Sequence, residues 1–306
     1  MTKKLTPELQ ALLERGQAEH QAGNWHQAAE TFAELYQAWP AFDSNYRLVT
    51  ALFMDHQYQL AADYADDFLP DYLEDVSHFK LVVAIAVQNH NFVDAQQLVM
   101  TSEDADLRKE LLAGIRADEE EAGETMATTF KTVARQFYHM SDYDLPAQHE
   151  RYQAAHYLPV DQFVTGAKFL LVDPYTLPVM RATLLEDLAK LGVSDELGYR
   201  WVDGQNYQAK INDLPLAVDS PQYRDIVAFL AETVGQQDPI AYENLVQQTR
   251  MELTLLFPMI EPAVSDPKAW AQVNLSNYYQ EDSTAESAGQ ASIHRQVQQV
   301  LNEMMS

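Results

Sequence analysis

Six residues in one stretch have the right types to bind a metal: His139, Asp142, Asp144, His149, Glu150 and His156. Imidazole and carboxylate together suit zinc, manganese or iron. His149 and His156 are seven residues apart and share a face if the stretch is helical. A metal-dependent hydrolase with its site around residues 139–156 is therefore the enzymatic alternative. The local pattern argues against it. In His149-Glu150-Arg151-Tyr152-Gln153 the second histidine of the zinc-protease helix is missing, with Gln153 in its place. Histidines beside acids are ordinary on helix surfaces in a chain with 46 Asp and Glu, so no metal ligand is assigned.

Other routes to catalysis find less support. Cysteine is absent, which removes disulfides, thiolate metal sites and thiol nucleophiles together. Gly166-Ala167-Lys168 lacks both the upstream glycine and the following Ser or Thr of a phosphate loop. No Gly-x-Gly-x-x-Gly and no Gly-x-Ser-x-Gly run occurs. Acid pairs are too plentiful for any one to be singled out as general acid and base. The reading is a protein that is not an enzyme, with no catalytic residue and no cofactor.

Charge narrows the partners. Twenty Lys and Arg against 46 acids give a net charge of −26, which repels phosphate backbones and anionic lipid surfaces, so neither nucleic acid nor membrane is expected as a partner. The acidic surface is read as a solubility device, with a basic client as the alternative. Residues 1–8 start basic but run into polar residues without an apolar core, and no window reaches the ~18 apolar residues of a membrane span. A cytoplasmic location follows as the expectation.

Organisation comes from a repeat. Asn24-Trp25-His26-Gln27-Ala28-Ala29 is echoed by Gln57-Tyr58-Gln59-Leu60-Ala61-Ala62 and by Asn91-Phe92-Val93-Asp94-Ala95-Gln96, so that Trp25, Tyr58 and Phe92 stand 33 and 34 residues apart. In the first copy, small Gly16 and Ala28 allow two helices to cross closely while Leu12 and Phe32 fill the space beside them. Gly23 permits a positive φ where the first helix ends, and Pro40 stops the second. The later copies carry Val49 and Val83 in place of Gly16, and His56 and His90 in place of Gly23. Histidine tolerates left-handed geometry better than most residues. Ala61, Ala65, Ala95 and Val99 keep the close-packed face. By period and by these residues the segment resembles the tetratricopeptide repeat family, with copies at about 6–40, 42–73 and 76–103. A plain helical bundle is the alternative, and is helical too.

The resemblance implies a concave groove lined by the first helix of each pair. In this register the groove positions are Leu13, Gln17 and His20, then Tyr46, Thr50 and Phe53, then Lys80, Ala84 and Val87. Family members that clamp a terminal carboxylate carry Lys and Asn where this chain has Leu13 and Gln17. A mixed aromatic and apolar groove instead implies an apolar or amphipathic segment of another protein as ligand. Coverage of this face by the C-terminal half is the competing possibility.

The rest of the chain reads as helical. Residues 104–165 form a helical connector, with an amphipathic helix through Leu107, Leu111, Leu112 and Ile115, and a second through Met126, Phe130, Val133, Ala134 and Phe137. Residues 166–279 form a C-terminal helical domain. There Asp173-Pro174, Ser220-Pro221, Asp238-Pro239 and Asp266-Pro267 signal helix starts, with helices over 178–191, 221–234, 239–257 and 267–278. Asp203-Gly204-Gln205 between two partly alternating aromatic runs predicts a β-hairpin over 198–211 that must pack on helices. Residues 280–306 make an acidic linker and a last helix striped by Ile293, Val297, Val300, Leu301 and Met304. This stripe packs on its own chain, on a second copy or on a partner, and the second of these makes a self-assembling structural subunit the third functional alternative. The order of these C-terminal elements is similar to that of cytoplasmic tetratricopeptide-containing proteins of Gram-positive bacteria, a resemblance that implies no catalytic or ligand residues. The expected architecture is all-α, a helical-hairpin solenoid followed by a helical domain with one small hairpin. The expected function is that of an interaction or scaffold protein.

Overall fold

The computed structural model describes residues 6–281, 283 and 285–305. The basic N-terminal start (residues 1–5) and Asp282, Thr284 and Ser306 of the linker and tail lie outside the described residues. Among the described residues the fold is all-α apart from one two-stranded antiparallel sheet. Among the described residues no helix is long and apolar enough to cross a membrane. The chain divides into two compact units, residues 1–126 and 127–306.

The first unit consists of α1 (Pro7–Gln21), α2 (Trp25–Ala38), α3 (Phe42–Met54), α4 (Tyr58–Asp66), the single turn α5 (Leu69–Tyr72), α6 (Val76–Gln88), α7 (Phe92–Met100) and α8 (Ala105–Thr125). Packing is between neighbours in the series: α1 on α2, α2 on α3, α3 on α4, α4 on α6, α6 on α7 and α7 on α8. The three first helices end in the same way. Gly23, His56 and His90 have φ of 76°, 60° and 59°. The left-handed residue turns the chain so that the next amide reaches back: Asn24 N–H to Glu19 O (3.0 Å), Gln57 N–H to Leu52 O (2.9 Å) and Asn91 N–H to Ala86 O (2.9 Å).

Crossing of α1 over α2 depends on the missing side chain of Gly16. A Cβ there would lie 2.5 Å from Cε1 of Phe32, so the ring fills the volume a side chain would need. In the next pairs the first helix carries a side chain at the position of Gly16, buried Val49 and Val83, and the second helix carries smaller buried residues, Ala65 and Val99, at the position of Phe32. The core between α2, α3 and α4 is continuous with Leu35, Leu48, Leu52 and Ala61. Polar side chains within it are paired: Tyr72 Oη donates to Asn45 Oδ1 (2.8 Å), and Asn45 Nδ2 donates to the Tyr64 carbonyl (2.7 Å).

The second unit contains α9 (Ala127–Tyr138), α10 (Leu145–Ala155), α11 (Val160–Val172), α12 (Pro178–Lys190), β1 (Leu197–Arg200), β2 (Asn206–Ala209), α13 (Pro221–Thr233), α14 (Pro239–Leu256), the short α15 (Ile260–Ala263), α16 (Pro267–Tyr278) and α17 (Ala288–Met305). Two boundaries differ from the sequence reading. Helix α8 belongs with the first unit, and the division at 165/166 falls inside α11. Gly166 is a packing glycine of α11, its Cβ position 2.6 Å from Cδ1 of Phe137 on α9.

Three of the four capped starts form as expected: Ser220, Asp238 and Asp266 accept the amides of Tyr223, Ala241 and Ala269 at 2.9–3.1 Å. Asp173-Pro174 does not start a helix. Asp173 accepts the Tyr175 amide (3.0 Å) and the Ser141 hydroxyl (2.6 Å), and buried Arg181 of α12 donates to the carbonyls of Asp173 and Thr176. These bonds fix a turn, and α12 begins after it at Pro178. In the hairpin, Leu197 pairs with Ala209 and Arg200 with Asn206, with Gly204 at φ 79° in the turn. Leu197 and Tyr199 are buried, β1 packs on α11, and Trp201 Nε1 donates to the Leu256 carbonyl (3.1 Å).

Helix α17 packs on α14 with Val297 fully buried, while Ile293, Val300, Leu301 and Met304 are half-buried. A charged network accompanies it. His294 is stacked on Trp270 (3.7 Å, 8°), with Nδ1 2.9 Å from Glu286 Oε1 and Nε2 2.9 Å from Asn274 Oδ1 and 3.6 Å from Glu252 Oε1. Glu252 accepts from Trp270 Nε1 and Asn274 Nδ2 at 2.7 Å each and from Gln248 Nε2 at 2.8 Å. Burial alone would lower the histidine pKa, but Glu252 and Glu286 outweigh it and raise it from 6.5 to about 9.

Gly23 has open space around it, so Gly23→Ala meets only backbone strain and is expected to cost about 1 kcal/mol, read by urea unfolding of the first unit. The raised pKa of His294 makes its contribution complete below pH 6.5, declining as pH rises through about 9. The thermal stability of the second unit is accordingly expected to fall over that window in wild type, and His294→Gln is expected to be less stable at pH 6 and to show a flatter profile.

Candidate functional site

Gln17 and His20 on α1 and Tyr46 and Thr50 on α3 line one cavity of about 360 Å³, together with Gln21, Phe32 and Arg47. Four of the nine groove positions therefore meet at one place. Gln17 and His20, three apart, and Tyr46 and Thr50, four apart, each occupy a single helix face. Phe32 supplies the floor from α2, and its ring reaches that position because Gly16 leaves room for it.

Neighbouring rings hold the wall in place. His20 stands edge-on to Trp25 (4.6 Å, 76°). Tyr46 is packed against His78 (4.4 Å), Phe42 (6.2 Å) and Tyr72 (6.3 Å). Thr50 Oγ1 donates to the Tyr46 carbonyl (2.7 Å), so its hydroxyl proton is already engaged. Arg47 is held by both carboxylate oxygens of Asp43 at 3.1 Å, so its charge is already matched. The side chains of Gln17 and Gln21 make no hydrogen bond among the described residues.

The other expected positions are used differently. Val87 is buried in the core of the first unit, which corrects its assignment to a binding face. Phe53 packs on Tyr58 (5.4 Å) and Leu13 on the core shared by α2, α3 and α4; neither lines the cavity. Lys80 is held by Glu110 of α8 at 2.7 Å. Ala84 is half-buried, away from the cavity lining. Sequence reasoning missed Gln21, Phe32 and Arg47. Gln21 lies one turn beyond Gln17, a signal that could have found it, whereas Phe32 sits on a second helix that repeat register assigns to the core.

The histidine and carboxylate stretch does not assemble into one site. His139 Nδ1 is 3.4 Å from Asp142 Oδ2 on an exposed turn, and Asp144 caps α10 through the Ala147 amide (3.2 Å). The His149 ring lies by Tyr152 (6.3 Å). His156 lies against Phe163 (5.3 Å), with Nε2 3.5 Å from buried Asp187. Burial would raise the Asp187 carboxyl, but His156, Tyr152 and Lys190 outweigh it and hold it below the usual range. Among the described residues no group of three or more His, Asp or Glu is placed to hold a metal ion.

No family model matches the chain, and no curated protein or solved structure matches it.

Proposed function

We propose that this protein is a non-catalytic interaction protein of tetratricopeptide type, acting in the cytoplasm, that receives an apolar or amphipathic segment of another protein in the groove between α1 and α3. The observation that carries this reading is the cavity of about 360 Å³ to which two helices bring Gln17, His20, Tyr46 and Thr50 over the ring of Phe32. Its size and its aromatic floor suit one apolar side chain of an extended or helical ligand, and the free amides of Gln17 and Gln21 can bond the ligand backbone beside it. Arg47 and Lys80 are already matched by Asp43 and Glu110, which favours an apolar anchor over a terminal carboxylate. The net charge of −26 favours ligands with neutral or basic flanks.

Peptides selected on the full chain from a random displayed library test the reading. Gln17→Trp fills the cavity without removing a hydrogen bond and is expected to weaken the selected peptides by about tenfold or more at an unchanged melting temperature. Tyr46→Ala should act in the same direction. Equal affinity in wild type and in Gln17→Trp would remove the groove from the account.

A further inference from the structure

A second cavity, of about 300 Å³, lies in the second unit between α12, α14 and α17. Val179, Leu255, Leu301, Met251 and Met304 form its apolar wall. Met251 and Met304 are adaptable, because an unbranched thioether rotates to fit what lies against it. Along one edge α14 places Gln247, Arg250 and Thr254, three and four residues apart and so on one face. None of these three side chains makes a hydrogen bond or ion pair among the described residues.

Among the described residues Arg250 shares the lack of a carboxylate partner with other arginines such as Arg116 and Arg295; what distinguishes it is the apolar cavity it lines. Acids outnumber Lys and Arg by 46 to 20, and Arg15, Arg47, Lys80 and Lys168 each hold a carboxylate within 4 Å. Arg250 holds none and lines an apolar cavity instead. Glu186 senses its charge at longer range, but that carboxylate accepts the Ala217 amide at 3.3 Å. A guanidinium presents a planar pair of donors that matches a carboxylate.

We propose that this cavity binds a medium-chain aliphatic carboxylate, with the alkyl chain against Met251, Met304 and Leu301 and the carboxylate on Arg250, flanked by Gln247 and Thr254. A volume at the lower end of ligand sites, about 300–1,000 Å³, suits a short flexible chain better than a fused ring system. Size and a single cation together select the ligand: the wall rewards carbon length, and the arginine rewards one negative head.

Methionine-methyl NMR of the full chain tests the proposal, with the Met251 and Met304 signals identified through Met251→Leu and Met304→Leu. Titration with octanoate is expected to move both signals to saturation, with 1-octanol binding about tenfold or more weakly. Arg250 is exposed, so Arg250→Gln should keep the melting temperature of the wild type and bring octanoate down to the level of 1-octanol. Failure of both signals to saturate by about 10 mM octanoate would overturn the site. Equal affinities for octanoate and 1-octanol in wild type, or an undiminished preference in Arg250→Gln, would overturn the role of the arginine and with it the proposed ligand class.

Discussion

A helix crossing with no side chain on one partner underlies the first unit. Gly16 contributes only backbone where α1 passes α2, and the ring of Phe32 takes the volume. The same ring is the floor of the cavity walled by Gln17, His20, Tyr46 and Thr50. Packing and the proposed site thus share one side chain: the absence of a Cβ on α1 admits the ring, which is 2% exposed and closes the cavity from beneath. The second and third pairs reach close packing by another division of bulk, with valine on the first helix and Ala65 or Val99 on the second. No aromatic floor stands at those positions.

The second unit relies on a different device. Its last helix has a narrow apolar stripe, of which only Val297 is fully buried, and the remaining specificity comes from charge. Glu252, 0% exposed, receives three hydrogen bonds and the field of His294, which is itself stacked on Trp270. Burying one of these charges without the other would be costly, so the network holds α17 in one register on α14 and α16. With the helix so placed, Leu301 and Met304 close one side of the cavity at Arg250.

Much of the backbone was legible in the sequence because it follows local rules. The spacing of Trp25, Tyr58 and Phe92 located the helix pairs, and the left-handed positions fell at Gly23, His56 and His90, where histidine stands in for glycine. Proline after Ser220, Asp238 and Asp266 marked helix starts correctly. The same signal misled at Asp173, because the competing partners, Ser141 and Arg181, are distant in sequence or belong to a later helix. Of the nine positions expected to line a groove, four line one cavity. Helical register gives the direction of Gln17 and Tyr46, but it does not tell whether Val87 or Phe53 meets open space or another helix. The buried pair Glu252 and His294 was invisible, since a charged residue in a polar stretch reads as surface until its partners from other helices are known.

A double-mutant cycle on Gly16 and Phe32 tests the central claim most directly. Gly16→Val and Phe32→Ala together install the division of bulk found at Val49 and Ala65. If the two positions share one volume, Gly16→Val alone costs about 1–3 kcal/mol and Phe32→Ala alone about 3–5, while the double variant is more stable than the sum by about 1 kcal/mol or more. Additive losses, measured by urea unfolding, would show that α1 and α2 do not meet through these residues, and would contradict both the crossing and the floor of the site built on it.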